Sequence, residues 1–230
     1  MNRMNYQNII IEEHFNESQK LNQPENEFLN ALILGKHSFC SKLVHSYLAK
    51  KISIKELYEN IFKKSLYDVG ELWEHNKISV ATEHLASAIV EAILNQLYFE
   101  IISNEKNGKT VICACVENEF HQIGIKMISD LFEMNSWNSH FLGSNVPILE
   151  LISFIKQKNP DLLAISLSLY FNFPSLEKMI QKVQKEFPEL PILVGGQAFQ
   201  HGGKEIIMKY DNVVFQSDLN NTELYIKNFK

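Results

Sequence analysis

The sequence predicts an α/β protein in two parts, a bundle of helices followed by a doubly wound parallel sheet. Three observations carry that expectation. Residues 25–105 place their apolar side chains at helical spacing throughout, the signature of amphipathic helices. Residues 108–230 instead alternate short apolar runs with amphipathic stretches, as βαβ units do. Gly 9 and Pro 6 in 230 residues are too few for a turn-rich all-β fold.

The helical part resolves into four stripes. Phe28, Leu29, Leu32 and Ile33 form the first; Phe39, Leu43, Val44, Tyr47 and Leu48 form the second. Leu57, Ile61, Phe62, Leu66, Val69, Leu72 and Trp73 form the third. Leu85, Ala88, Ile89, Ala92, Ile93, Leu97 and Ile101 form the fourth. Short polar joints separate them, with Ser53 and Ser79 placed to cap the helices that follow. Four helices on short loops predict an antiparallel bundle, here a cap domain over residues 23–105. Residues 1–22 are polar and weakly periodic, and read as a flexible arm.

A polar linker, Asn104 to Gly108, precedes the run Thr110 to Val116, which is apolar and β-branched as a strand buried on both faces should be. The alternation continues with a helix over 122–134, a strand over 138–142 and a helix over 148–157. A strand over 162–166, a helix over 176–187 and a strand over 192–194 follow. A strand over 213–215 and a C-terminal helix close the chain. Five parallel strands interleaved with helices make residues 108–230 a Rossmann-like, flavodoxin-like domain.

Composition removes several function classes. A net charge of −5 argues against a nucleic-acid footprint. No run of about 18 apolar residues predicts a membrane span. The N-terminus lacks an apolar signal core, so a cytoplasmic protein is expected. The three cysteines are too few for a disulfide framework. Cys113 and Cys115 share a strand face and read as buried rather than metal-binding. Glycine-rich phosphate loops are absent, which excludes nicotinamide dehydrogenases and P-loop enzymes. Catalysis by the chain alone is not expected, since no nucleophile–base pair stands out.

An open parallel sheet holds ligands at the carboxyl ends of its strands. The loops there carry Glu119, His121 and Gly124 after the first strand, and Leu142 to Pro147 after the second. Ser166 and Ser168 follow along the third, and Gly195 and Gly196 follow the fourth. Singly, each has an ordinary reading: a solvated histidine, a satisfied hydroxyl, a tight turn. Jointly, Glu119-x-His121-x-x-Gly124, Ser166-x-Ser168 and Gly195-Gly196 resemble the cobalamin-binding domain, whose pattern is Asp-x-His-x-x-Gly, Ser-x-Leu or Ser-x-Thr, and Gly-Gly. The Leu-Gly-x-x-x-Pro stretch ending at Pro147 is also typical of it. The resemblance runs over about residues 25–228. In the helical part, Val69 to Trp73 and then Val80, Glu83 and His84 are similar to the cap of light- or cobalamin-sensing regulators.

The resemblance implies adenosyl- or methylcobalamin as cofactor, bound with its own base displaced. His121 is then the lower axial ligand of cobalt, imidazole being a suitable nitrogen donor. Gly124, Ser166, Ser168, Gly195 and Gly196 leave room for the displaced tail. Glu119 replaces the family's Asp and is about 1.5 Å longer in reach, which changes how a carboxylate orients the ring. Val80, Glu83 and His84 share one helix face, and with Trp73 they are expected to cover the upper ligand. Read alone, Trp73 also fits bundle core and Glu83–His84 a solvated pair. His75 is a further candidate.

The function implied is a cobalamin-binding sensor, of photoreceptor type, that regulates transcription through a protein partner or self-association. Only about 22 residues precede the bundle, so direct nucleic-acid binding is not expected, nor is a membrane. A corrinoid methyl carrier serving a methyltransferase is the alternative, and a diverged binder of another tetrapyrrole is a third reading.

Overall fold

The computed structural model describes residues 24–102 and 105–229, so the expected N-terminal arm lies outside the described residues. The chain divides into two compact units, Met1–Leu97 and Tyr98–Lys230.

The first unit is helical. α1 (Pro24–Ile33) and α2 (His37–Ala49) bury Phe28, Leu29, Leu32, Leu43, Val44 and Tyr47 as the periodicity requires. α3 (Ile54–Leu57) starts on a capping box: Ser53 Oγ accepts from the Glu56 N–H, and the Glu56 carboxylate accepts from the Ser53 N–H. A π-helical turn, Tyr58–Phe62, joins it to α4 (Lys63–Glu74). The wider turn keeps Tyr58, Ile61 and Phe62 all buried, with Phe62 packed 5.2 Å from Phe28, centroid to centroid. α5 (Val80–Ile101) follows, and Ser79 Oγ accepts from the Thr82 N–H as expected of its cap.

Three apolar stripes differ from expectation, the third because Trp73 at its end is exposed. In α5 the buried positions are Ala86, Ile89, Val90, Ile93, Leu94, Leu97 and Ile101, while Leu85 and Ala88 are exposed. Ile89, Ile93, Leu97 and Ile101 are buried as expected; the helix is apolar on more than one side, so spacing alone does not fix the rest of the stripe, and packing adds Ala86, Val90 and Leu94. Phe39 lies in the first turn of α2 and is exposed.

The second unit is a five-stranded parallel sheet ordered β2-β1-β3-β4-β5. Its strands are β1 (Thr110–Cys115), β2 (Asn138–Gly143), β3 (Leu162–Ser166), β4 (Ile192–Gly195) and β5 (Val213–Phe215). The helices between them are α6 (Ile123–Met134), α7 (Ile148–Lys158), α8 (Phe173–Glu186) and α9 (Lys204–Ile207), and α10 (Leu219–Asn228) ends the chain. α8 begins three residues earlier than expected, because Pro174 sits in its first turn, where a proline costs no hydrogen bond. On one sheet face Ile112, Ala114, Leu163, Ile165, Ile192 and Val194 form a core with Leu151, Ile155, Met179 and Ile180.

α6 carries two buried acids that the apolar pattern does not announce. Asp130 pairs with Lys126 and Glu133 pairs with Lys106. Glu133 also accepts from the Ser139 N–H of β2 at 2.9 Å. Partners of this kind are what make buried carboxylates tolerable.

Among the described residues, no helix is long and apolar enough to cross a membrane. Ser53→Ala removes one half of the capping box and is expected to cost about 1 kcal/mol. Urea unfolding monitored by far-ultraviolet circular dichroism checks this value.

Candidate functional site

The strand order places a topological switch between β1, which pairs with β2 on one side, and β3 on the other. Loops leaving adjacent strands in opposite directions open a crevice there. The loop after β1 carries Glu119 and His121, and the turn after β3 carries Ser168, Leu169 and Asn172.

Glu119 ties the two together. One carboxylate oxygen lies 2.5 Å from His121 Nδ1 and accepts from the His121 N–H at 3.1 Å. The other accepts from the N–H groups of Ser168 and Leu169, both at 3.0 Å, and from Asn172 Nδ2 at 3.3 Å. Glu119 is fully buried, whereas the His121 side chain is 51% exposed. Burial alone would push this carboxyl up. The bonds from the His121 ring and from the His121, Leu169 and Ser168 N–H groups outweigh it, and the acid is held down to about 2. An ionised carboxylate only accepts, so Nδ1 of His121 is the protonated nitrogen, and Nε2 is the atom with a lone pair to offer a metal.

One carboxylate thus reaches the imidazole and the turn after β3 at once. Ser168 contributes its main-chain N–H to this arrangement. Asn172, which sequence reasoning did not single out, is buried and also donates to the Asn118 carbonyl oxygen at 3.2 Å. An asparagine a few residues beyond a strand end was the only signal available for it.

A Cβ on Gly124, in the first turn of α6, would stand 3.6 Å from Ser166 Oγ at the end of β3, an ordinary contact, whereas the later glycines meet backbone. A Cβ on Gly195 would stand 2.9 Å from the Gln216 carbonyl oxygen. On Gly196 it would lie 2.2 Å from the Leu167 carbonyl oxygen, and its φ of 119° disfavours any other residue. The glycine pair is thus required by the packing of strand ends. Cys113 and Cys115 are fully buried, and burial pushes both thiols up to about 12.

In the helical unit, Trp73 and Val80 are 44% and 49% exposed, so Trp73 is not bundle core. Glu83 lies 2.5 Å from His84 Nδ1 through one oxygen, and accepts from Ser87 Oγ at 2.9 Å through the other. His75 Nδ1 donates to the Glu71 carbonyl oxygen at 2.8 Å, closing the end of α4.

A carboxylate-oriented imidazole at the switch point of a flavodoxin-ordered sheet defines a protein that presents a nitrogen ligand at its strand ends. A family model described as the B12 binding domain matches residues 109–218, and a second B12 binding domain model matches residues 24–98. The chain belongs to the B12-binding proteins that join a helical cap module to a Rossmann-like module. Among curated proteins it is 27% identical over 143 residues to the HTH-type transcriptional repressor CarH of Myxococcus xanthus, covering 61% of this chain and 47% of that one. It is 25% identical over 147 residues to dimethylamine corrinoid protein 1 of Methanosarcina acetivorans, covering 61% and 68%. The chain thus spans about half the length of the repressor. In fold it resembles the monomethylamine corrinoid protein of Methanosarcina barkeri, with a TM-score of 0.76 at 14% identity over 87% of this chain and 96% of that one.

Two predictions follow from this geometry. Glu119→Gln puts an amide donor where only acceptors serve, and is expected to cost about 2 kcal/mol. Because the folded acid is held below its ordinary value of 4.5, its contribution is complete above pH 4.5 and fades as pH falls toward about 2. The urea midpoint of the Gln variant should therefore depend less on pH in that window than the native chain's. The buried thiols should resist a thiol-specific chromogenic reagent at pH 8 and react once the chain is unfolded.

Proposed function

We propose that the chain holds cobalamin with the cofactor's own base displaced and His121 as the lower axial ligand, and works as a sensor or photoreceptor-type regulator acting through a protein partner. The pairing of half-exposed His121 with buried, ionised Glu119 carries the reading. Glu119 fixes the ring's tautomer and orientation and strengthens it as a donor, and the residues around it fit the group. The group, held by His121, would supply a cobalt–carbon bond sensitive to light and to oxidation state. Gly124, at the start of α6, and Ser166, at the end of β3, face each other where the displaced tail would enter, and Ser168 follows in the turn after β3.

Exposed Trp73, Val80 and His84, with partly buried Glu83 bonded to His84, support the regulator form. An aromatic and an apolar side chain exclude water from a reactive bond, and a paired carboxylate and imidazole can hydrogen-bond a large polar upper ligand. The match to a transcriptional repressor over 61% of the chain agrees with it. A corrinoid methyl carrier is the second reading, favoured by the match covering 68% of a dimethylamine corrinoid protein. Methyl transfer needs an upper face open to two partners in turn, which a tryptophan and a carboxylate-bonded histidine do not favour.

The purified chain, labelled with [15N]histidine, is incubated with adenosyl-, methyl- and hydroxocobalamin. Electron paramagnetic resonance of the reduced cob(II)alamin form should show coupling to a 15N nucleus, and His121→Ala should lose it. Coupling that survives in that variant refutes the role of His121. A light-induced change of the adenosylcobalamin spectrum supports the sensor, and methyl exchange with an added donor supports the carrier.

A further inference from the structure

Asn145 lies in the turn between β2 and α7 and grips the His121 loop from outside. Its side-chain oxygen accepts from the Asn118 N–H at 2.9 Å. Its own N–H donates to the Glu119 carbonyl oxygen at 2.8 Å. Two bonds of opposite sense fix the rotation of the loop as well as its position. Asn118 and Asn145 both adopt left-handed backbone, with φ of 66° and 49°, which asparagine tolerates better than most residues. The same turn is braced on either side. The Ile148 N–H donates to the Glu117 carboxylate at 2.9 Å, and the Ser144 N–H donates to the Gln122 side chain at 3.2 Å.

Asn145 is itself exposed, so core packing does not explain its contacts. The backbone on both sides of His121 is held by the protein's own groups. Resting on the reading of His121 as the cobalt ligand, we propose that Asn145 is a positioning residue: its clasp on Asn118 and Glu119 keeps the His121 loop in ligating shape before cobalamin arrives. A loop ordered in advance does not lose its freedom at the moment of binding, and that saving is returned as affinity. Glu119 orients the ring from within, while Asn145 sets the path of the chain that carries both.

The test uses the full chain and two substitutions. Asn145→Gly keeps the left-handed backbone and the N–H but deletes the side-chain acceptor. Asn145→Asp restores an acceptor in the same place. Hydroxocobalamin affinity is measured by equilibrium dialysis, and histidine ligation by the 15N coupling of the reduced cofactor. Asn145→Gly should bind about tenfold more weakly, near the loss of one hydrogen bond, with part of the sample lacking the histidine coupling. Asn145→Asp should stay within about twofold of the native chain on the same scale. The apo thermal midpoints of all three should agree within about 2 °C, as expected for an exposed side chain.

Native affinity and full coupling in Asn145→Gly overturn the proposal. So does a loss of affinity in both variants that tracks a fall in thermal midpoint, which marks a purely structural residue. Absence of histidine coupling in the unsubstituted chain overturns the reading of His121 and the clasp with it. That failure is distinguishable because it needs no substitution to appear.

Discussion

A single buried carboxylate organises the strand ends of this molecule. Glu119 collects hydrogen bonds from an imidazole, three main-chain N–H groups and a side-chain amide. A carboxylate has room for about four acceptor sites, and five donors of the protein converge on this one. Its burial is tolerable only because of those donors. In return, the loop after β1 and the turn after β3 cannot move apart without stranding a charge. The position of His121 is set by this electrostatic knot more than by its own contacts.

The sheet explains why the knot forms at that place. β1 lies between β2 and β3, so its loop has neighbours on both sides. One neighbour contributes the amides of Ser168 and Leu169, and the other contributes Asn145. The apolar layers beneath are ordinary close-packed core, and they serve the site by keeping three strand ends level. Cys113 and Cys115 belong to those layers, where burial raises both thiols, and Cys115 Sγ donates to the His121 carbonyl oxygen at 3.6 Å.

Much of this was legible in the residues. β3 is buried along its whole length, and its apolar run reads as a strand with the same limits, Leu162 to Ser166. Glu119, His121 and Ser168 stand out as loop residues after strands, because a parallel sheet fixes where such loops face. The buried stripe of α5 was legible only in part: Ile89, Ile93, Leu97 and Ile101 face inward as expected, but a helix apolar on several sides offers no unique face that would add Ala86, Val90 and Leu94. Asp130 and Glu133 were hidden for the opposite reason. Charged residues normally face water, and only the partners Lys126, Lys106 and Ser139, brought close by folding, allow them inward. Asn172 and Asn145 act across loops, and local sequence carries no record of such partners.

The glycine pair after β4 has a bearing on how relatives of this chain are told apart. Gly196 is fixed by its positive φ and by the nearness of the Leu167 carbonyl, and Gly195 by that of Gln216. Neither demand involves a cofactor. A descendant that had given up its ligand would still need both glycines to close its sheet, while nothing in the fold would oblige it to keep a half-exposed imidazole at position 121. Loss of function in such a lineage would register first at the histidine and its carboxylate, leaving the glycines as a relic of architecture.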